Sequence, residues 1–301
     1  MIDGRTQLVG LIGWPVEHSL SPVMHNAAFA ALKMDWCYLP LPVPPQRVEA
    51  AVSGLAASGF RGANVTIPHK RAIFSALSSL SPHAEALGAV NTLLIEQGDD
   101  PTIVGENTDV AGFLAALQGA GFAIAGTRVL VVGAGGAARA VTYALVENGA
   151  CEVVILSRSI KRAQELVEQF SGKGQRARLR AAALNGPNLV SVSKDSDLLV
   201  NATPVGMWPN AGRSIWSLEI PIPSRLTVFD LVYNPQQTRL LKQARSSGAR
   251  AISGLEMLIQ QGARSFSLWT NRQAPIDVMR EACVQHFASL VAFTQERSGK
   301  R

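Results

Sequence analysis

Arg128-Val-Leu-Val-Val132-Gly133-Ala134-Gly135-Gly136-Ala137-Ala138 sets an apolar, β-branched run directly before a glycine-rich turn and a helical pattern reaching about Asn148. The run reads as a strand buried on both faces. Gly133 permits the tight turn, Gly135 lets a backbone come close to a pyrophosphate, and Ala138 keeps the helix against the sheet. The helix N-terminus then offers free N–H groups and the positive end of its dipole to phosphate. A glycine motif alone carries little. Here strand, motif and helix stand in the order a dinucleotide site requires, and a second strand, Glu152–Leu156, completes a βαβ unit. The same residues would also serve as a turn that binds nothing.

The end of that second strand separates the two nicotinamide dinucleotides. An NAD site usually places Asp or Glu there, on the ribose 2′-hydroxyl. This chain has Ser157-Arg158-Ser159-Ile160-Lys161-Arg162, with no carboxylate. Arginine and hydroxyl groups bind a 2′-phosphate with charge-assisted hydrogen bonds, and Arg158 suits stacking on an adenine face. NADP(H) is the expected cofactor. The alternative for Lys161 and Arg162 is a solvated first turn of the next helix.

Around this unit the chain divides in two. Residues 112–254 form the expected Rossmann-type domain, with further strands at Asp197–Asn201 and Leu226–Leu231. In residues 1–111, short apolar runs (Leu8–Ile12, Tyr38–Leu41, Ala63–Ile67, Val90–Ile95) alternate with helical patterns (Pro22–Lys33, Pro45–Ala57, Lys70–Leu80). Ser21-Pro22 reads as a helix cap, and Pro68 as the opening of the helix that follows. From about 255 to 301 the pattern is helical without strands (Leu255–Trp269, Pro275–Phe293), so these helices are expected to pack back on the first part. The polar end from Gln295 is expected to fray. The fold class is α/β: an N-terminal α/β domain and a Rossmann-type dinucleotide-binding domain, with the C-terminal helices packing back on the first.

Composition sets the outer bounds. A chain of 301 residues, 47% hydrophobic and 17% charged, has ample material for a folded core. The net charge of +6 suits small anionic ligands and is too diffuse for nucleic acid. Arg176, Arg178 and Arg180 alternate as on the solvated face of a strand. The longest uncharged stretch, Val110–Thr127, holds Gln118 and four glycines and reads as helix plus loop, not a membrane span. Three distant cysteines, Cys37, Cys151 and Cys283, form no disulfide framework or thiolate metal site. With no basic-then-apolar N-terminus, the expected location is a reducing cytoplasm. An exposed sheet edge in the first part would allow a homodimer, and nothing forces one beyond the monomer.

The first part carries three polar clusters in apolar surroundings. Ser19-Leu-Ser21-Pro22 alternates two hydroxyls before a helix, an arrangement that holds a carboxylate with neutral donors and a dipole; an ordinary N-cap is the plainer use of Ser21. His18 and His25 are read as structural hydrogen-bonding groups, because the five histidines show no ligand spacing. Asn64-Val-Thr66-Ile-Pro68-His69-Lys70 joins a strand end to an expected helix start. A lysine there faces an unfavourable dipole, and the chain uses seven lysines against 21 arginines, so a group able to transfer a proton is informative. Gly105-Glu-Asn107-Thr108-Asp109 follows Ala89-Val-Asn91-Thr92. Asp109 is either a helix cap or the partner that keeps Lys70 charged and oriented.

The order of Ser-x-Ser-Pro-x-x-His-Asn, Asn-Val-Thr-x-Pro-x-Lys, Gly-Ala-Val-Asn-Thr, Gly-x-Asn-Thr-Asp and Gly-Ala-Gly-Gly-Ala resembles the shikimate dehydrogenase family. Asn201-Ala-Thr203-Pro-Val-Gly206-Met207, Asp230-Leu-Val-Tyr233 and Gly254-Leu-Glu-Met257-Leu-Ile-Gln-Gln261 extend the likeness over roughly residues 10–270. The resemblance implies NADPH-dependent reduction of 3-dehydroshikimate to shikimate, in chorismate and aromatic amino acid biosynthesis. It implies Lys70 and Asp109 as the catalytic pair. Ser19 and Ser21 would meet the substrate carboxylate, with Thr66, Asn91, Asp109, Tyr233 and Gln261 around the ring hydroxyls and carbonyl. It also implies Gly133, Ala134, Gly135, Gly136 and Ala137 at the pyrophosphate, Ser157, Arg158, Ser159 and Arg162 at the 2′-phosphate, and Leu231 and Gly254 beside the nicotinamide. Two departures stand out. Ser157-Arg158-Ser159 replaces the usual Asn-Arg-Thr and loses an amide donor. Asn201-Ala202-Thr203-Pro204 replaces Asn-Ala-Thr-Ser. The rival readings are an NAD-using quinate/shikimate dehydrogenase, a dehydrogenase of an amino-substituted substrate, and a non-catalytic ligand sensor; retention of Lys70 with Asp109 speaks against the last.

Overall fold

The structure, a computed structural model, describes the backbone of residues 2–172 and 177–298, with side chains through residue 289. Met1, Arg176 and residues 299–301 lie outside this range. Two compact units divide the chain: one takes the residues up to Thr108 together with those from Ile259 onward, the other is Asp109–Leu258.

In the first unit β1 (Gln7–Gly13), α1 (Ser21–Ala31), β2 (Trp36–Pro42), α2 (Val48–Ala57) and β3 (Gly62–Val65) form a parallel α/β start. The chain then adds β4 (Ser79–Leu80), α3 (Pro82–Leu87), β5 (Thr92–Glu96) and β6 (Thr102–Glu106). The six strands lie in the order β2-β1-β3-β5-β6-β4, with β5 antiparallel to both neighbours. Ile12, Val52, Ala63, Ile73, Leu93 and their neighbours make the core.

One expected element does not form. Residues 70–80 hold turns, a single 3₁₀ turn at Phe74–Ala76, and β4 in place of a helix, and Pro68 opens none. The Lys70 carbonyl, which a helix would spend on its own next turn, accepts the Val90 N–H at 2.8 Å. Farther along, the Ser78 N–H donates to the Ile103 carbonyl at 2.8 Å, and the Ser78 hydroxyl accepts the Ile103 N–H at 3.0 Å. Serines that bond the backbone locally and a waiting sheet edge override a modest helical pattern. Ser21 also differs from expectation. It is the first residue of α1, the cap position is Leu20, and no side chain caps the helix.

The second unit runs α4 (Asp109–Gly119), β7 (Arg128–Val132), α5 (Gly136–Glu147), β8 (Glu152–Ser157), α6 (Ile160–Phe170), β9 (Arg178–Ala183), α7 (Gly186–Ser193), β10 (Leu198–Asn201), β11 (Thr227–Asp230), α8 (Arg239–Ser246) and β12 (Arg250–Ser253). All six strands are parallel, in the order β12-β11-β10-β7-β8-β9. Renumbered within the unit this is the doubly wound Rossmann order, which reverses between β7 and β10. Val129–Val132 is buried throughout, as a strand covered on both faces must be. Arg178 and Arg180 stay exposed on β9, and Arg180 donates to Glu152 at 2.8 Å.

The unit boundary falls inside α9 (Gly254–Thr270), and α10 (Ile276–Ser298) follows. Within the first unit these helices pack on the N-terminal part. α10 lies on α1, and the Trp269 indole N–H on α9 donates to the Leu93 carbonyl at 2.8 Å. Gly62 makes room for that indole: a Cβ there would stand 2.3 Å from Trp269 Nε1. The last helix is assigned through Ser298. Among the described residues no helix is long and apolar enough to cross a membrane.

Candidate active site

In the first unit Lys70 is placed by its own backbone. Its carbonyl is tied to Val90, one residue before Asn91, and the preceding His69 is buried with Nε2 2.7 Å from the Val43 carbonyl. The His69 N–H bonds to the Thr66 carbonyl at 2.9 Å, and the Thr66 N–H to the Ile12 carbonyl at 2.9 Å. Lys70 is therefore held half-buried in a turn and not at a helix dipole. At the start of α1 the Ser19 hydroxyl accepts the Ser21 N–H at 3.2 Å.

Asn91 is the centre of a buried neutral network. Its Oδ1 accepts from the Thr108 N–H at 2.7 Å and from the Thr92 hydroxyl at 3.0 Å. Its Nδ2 donates to Thr108 Oγ1 at 3.0 Å and to Gln261 Oε1 at 3.4 Å. Behind it Asn64 Nδ2 donates to Ser265 Oγ at 2.9 Å and Thr92 Oγ1 at 3.1 Å, while the Tyr38 hydroxyl donates to Asn64 Oδ1 at 2.9 Å. Ser265 donates to the Gln261 carbonyl at 3.1 Å, one turn back along α9. Buried amides and hydroxyls are costly unless paired, so mutual satisfaction fixes the orientation of the Asn91 and Gln261 side chains.

Of the expected residues, Ser19, Ser21, Thr66, Lys70, Asn91 and Gln261 belong to this unit, and the network joins Asn91 to Gln261. Asp109 opens α4 directly after Thr108, a helix start that favours a carboxylate. Asn64, Thr92 and Thr108 sit inside the motifs but were assigned no role from sequence. Ser265 lies in no motif, and its one signal is the four-residue spacing from Gln261. His25 is buried against Tyr38, ring centroids 4.5 Å apart, and burial pushes its pKa down to about 3. It is a neutral packing group. Among the described residues no cluster of His, Cys, Asp and Glu is built to hold a metal.

In the second unit the glycine loop lies where the strand order reverses. Gly133 has φ +118°, and a Cβ there would stand 2.9 Å from the Ala202 carbonyl oxygen, so only glycine fits. A Cβ at Gly135 would meet nothing within 4 Å; that side of the loop faces open space at the first, unpaired N–H groups of α5. Ala138 is fully buried against the sheet. At the end of β8 the Ser157 hydroxyl accepts the Ser159 N–H at 3.2 Å, and Ser159 caps α6. Arg158, Lys161 and Arg162 are exposed, the last two in the first turn of α6. This donor set fits a dinucleotide carrying an extra phosphate: free amides for the pyrophosphate, arginines and hydroxyls for the second anion, and no carboxylate to repel it. A Cβ at Gly254 would meet the Leu231 carbonyl oxygen at 2.2 Å, so these two residues touch. Tyr233 lies half-buried in the segment after β11.

Three family models match the chain: the shikimate dehydrogenase substrate binding domain over residues 11–93, shikimate / quinate 5-dehydrogenase over 115–204, and the shikimate 5′-dehydrogenase C-terminal domain over 254–283. Shikimate dehydrogenase (NADP(+)) of Methanopyrus kandleri is 48% identical over 95% of this chain and 97% of its own. A crystal structure of a shikimate dehydrogenase in complex with NADP+ superposes with a TM-score of 0.85 at 37% identity, covering 95% of this chain and 98% of that one. Shikimate 5-dehydrogenase from Thermus thermophilus, in complex with NADP(H) and shikimate, gives 0.81 at 37% identity, covering 93% and 99%.

Proposed function

Because the chain belongs to the shikimate dehydrogenase family, we infer that it catalyses the reversible, NADPH-dependent reduction of 3-dehydroshikimate to shikimate in aromatic amino acid biosynthesis. When bound, NADPH supplies a hydride for the C3 carbonyl. Gly133 to Ala137 hold the pyrophosphate, Ser157, Arg158, Ser159 and Arg162 the 2′-phosphate, and Leu231 and Gly254 flank the nicotinamide.

Ser19 and Ser21 bind the substrate carboxylate with neutral donors. Thr66, Asn91, Asp109, Tyr233 and Gln261 orient the ring hydroxyls and carbonyl. Lys70 donates a hydrogen bond to the oxygen that becomes an alkoxide and delivers the proton that completes the alcohol. Asp109 keeps that ammonium charged and aimed. The observation that carries this reading is the anchoring of Lys70: its carbonyl is bonded to Val90, and the next residue, Asn91, is bonded to Thr108, the neighbour of Asp109. These bonds support the reading by fixing the backbone of Lys70 and that of Thr108 on consecutive residues, Val90 and Asn91.

The test is NADPH oxidation with 3-dehydroshikimate. Wild type is expected to turn over, and loss of turnover in Lys70→Ala with NADPH binding retained supports the assignment; near-normal turnover removes Lys70 from the mechanism. The same reading takes the chain as a cytoplasmic enzyme of one or two subunits, acting on small molecules without nucleic acid or membrane. The three cysteines are free, which fits a reducing compartment.

A further inference from the structure

Asp230 ends β11 and is fully buried, yet the mechanism above does not use it. Its carboxylate reaches two separate segments. Oδ1 accepts from Asn201 Nδ2 at 2.8 Å and from the Val232 N–H at 3.1 Å, and Oδ2 accepts from the Thr238 hydroxyl at 2.6 Å. Asn201 passes the constraint on. Its Oδ1 accepts from the Thr203 N–H at 3.1 Å and hydroxyl at 2.6 Å, and the Thr203 oxygen accepts the Val205 N–H at 3.2 Å. One carboxylate therefore ties residues 201–205, after β10, to residues 231–238, after β11.

Both segments leave the C-terminal ends of parallel strands beside the point of strand-order reversal, where ligands of this fold bind. The first presents the Ala202 carbonyl to Gly133 of the glycine loop. The second contains Leu231, seated on Gly254. We propose that Asp230 is a positioning residue for the cofactor: it clamps these two loops into one surface and so sets where the nicotinamide rests. This rests on the dinucleotide reading above.

Stability alone does not account for the carboxylate. The groups reaching its oxygens are all uncharged, and burial outweighs them, raising the pKa to about 6. Ionised at neutral pH, the group costs folding free energy that a neutral Asn of the same shape would avoid. What the carboxylate adds over Asn is acceptance on both oxygens at once, from Asn201 and Val232 on one and Thr238 on the other.

Fluorescence titration of NADPH, steady-state kinetics and thermal melting of Asp230→Asn at pH 7.5 test the clamp. We expect the NADPH Kd to rise about 10-fold and kcat to fall by about as much, the scale of a small misplacement of a reacting group. The KM for shikimate should rise less than the NADPH Kd, since of the residues assigned to the substrate only Tyr233 lies on a clamped segment, and the melting temperature should not fall, since the hydrophobic core is untouched. The exchanged pair N201D/D230N restores a donor–acceptor match between the two positions and should recover part of both losses. Thr238→Val, which keeps the carboxylate and removes one bond, should show the same split at about threefold, and it carries the test if Asp230→Asn does not fold. Wild-type NADPH affinity and turnover in Asp230→Asn, with a lowered melting temperature, would overturn the clamp and leave a structural role. A wild-type chain that binds no NADPH would overturn the cofactor reading and the clamp together.

Discussion

The two units bury polar groups in opposite ways. The first builds its network from neutral amides and hydroxyls, Asn64, Asn91, Thr92, Thr108 and Ser265, and keeps His25 uncharged with a pKa pushed down to about 3. The second buries an ionisable carboxylate, Asp230, with a pKa raised to about 6. A neutral network holds its geometry across pH, which suits the hydroxyl-orienting role proposed for Asn91 and Gln261. A carboxylate accepts more bonds per residue and ties several backbone segments at once, at a cost in solvation. The recognition proposed for the first unit and the clamp proposed for the second would thus draw on different chemistry within one chain.

The largest expected effect marks what the neutral network supports. Lys70→Ala should lower kcat by about 10²–10⁴-fold, the usual scale for a lost proton donor, with NADPH affinity unchanged by direct titration. Asn64→Leu strips the donor that serves Ser265 and Thr92 and the acceptor of Tyr38. Chemical denaturation should show a loss of about 2–3 kcal/mol, with KM for shikimate raised and NADPH Kd unchanged. A normal substrate KM in that variant would mean the network stabilises the unit without orienting Asn91.

Arg158→Ala should raise the KM for NADPH about 10-fold and leave that for NADH nearly unchanged, as expected of a charge-assisted bond to a 2′-phosphate. Equal loss for both cofactors would assign Arg158 to adenine stacking. The opposed titrations give the subtlest test. His25 has a folded pKa below its unfolded value, so its contribution is full above about pH 6.5 and is lost as pH falls toward 3. Asp230 has a folded pKa above its unfolded value, so its contribution is full below about pH 3.8 and is lost as pH rises through 6. Between pH 4 and 6 the two slopes oppose, each at about 1 kcal/mol per pH unit. His25→Phe should leave a stability that falls with rising pH in that window, and Asp230→Asn one that rises, both read from denaturant midpoints at fixed pH.

Much of the cofactor side was legible because its signals are local. Gly133 must take a positive φ, Ala138 must be small, and the run Ser157 to Arg162 either contains a carboxylate or does not; each is a property of a few adjacent residues. Ser21 and the segment after Pro68 show the limit of that reasoning. A serine before a proline suggested a cap, and the helix begins one residue earlier. Residues 70–80 carried a modest helical pattern, and bonds to Val90 and Ile103 drew the chain into turns and a strand. The lysine argument from a helix dipole therefore fails, and Lys70 owes its placement to those distant partners.

The amino-acid sequence by itself determined the βαβ unit, the absence of an acid at the end of β8, and the family membership that names the reaction, because glycine geometry, β-branched runs and charge act over short chain distances. Only the tertiary structure decided that Asn64 meets Ser265 across 201 residues, and that Asp230 ties two loops together. Such partners leave no mark in the local pattern. A buried polar group must be satisfied by whatever the fold brings within about 3 Å, and the sequence alone does not say what that will be.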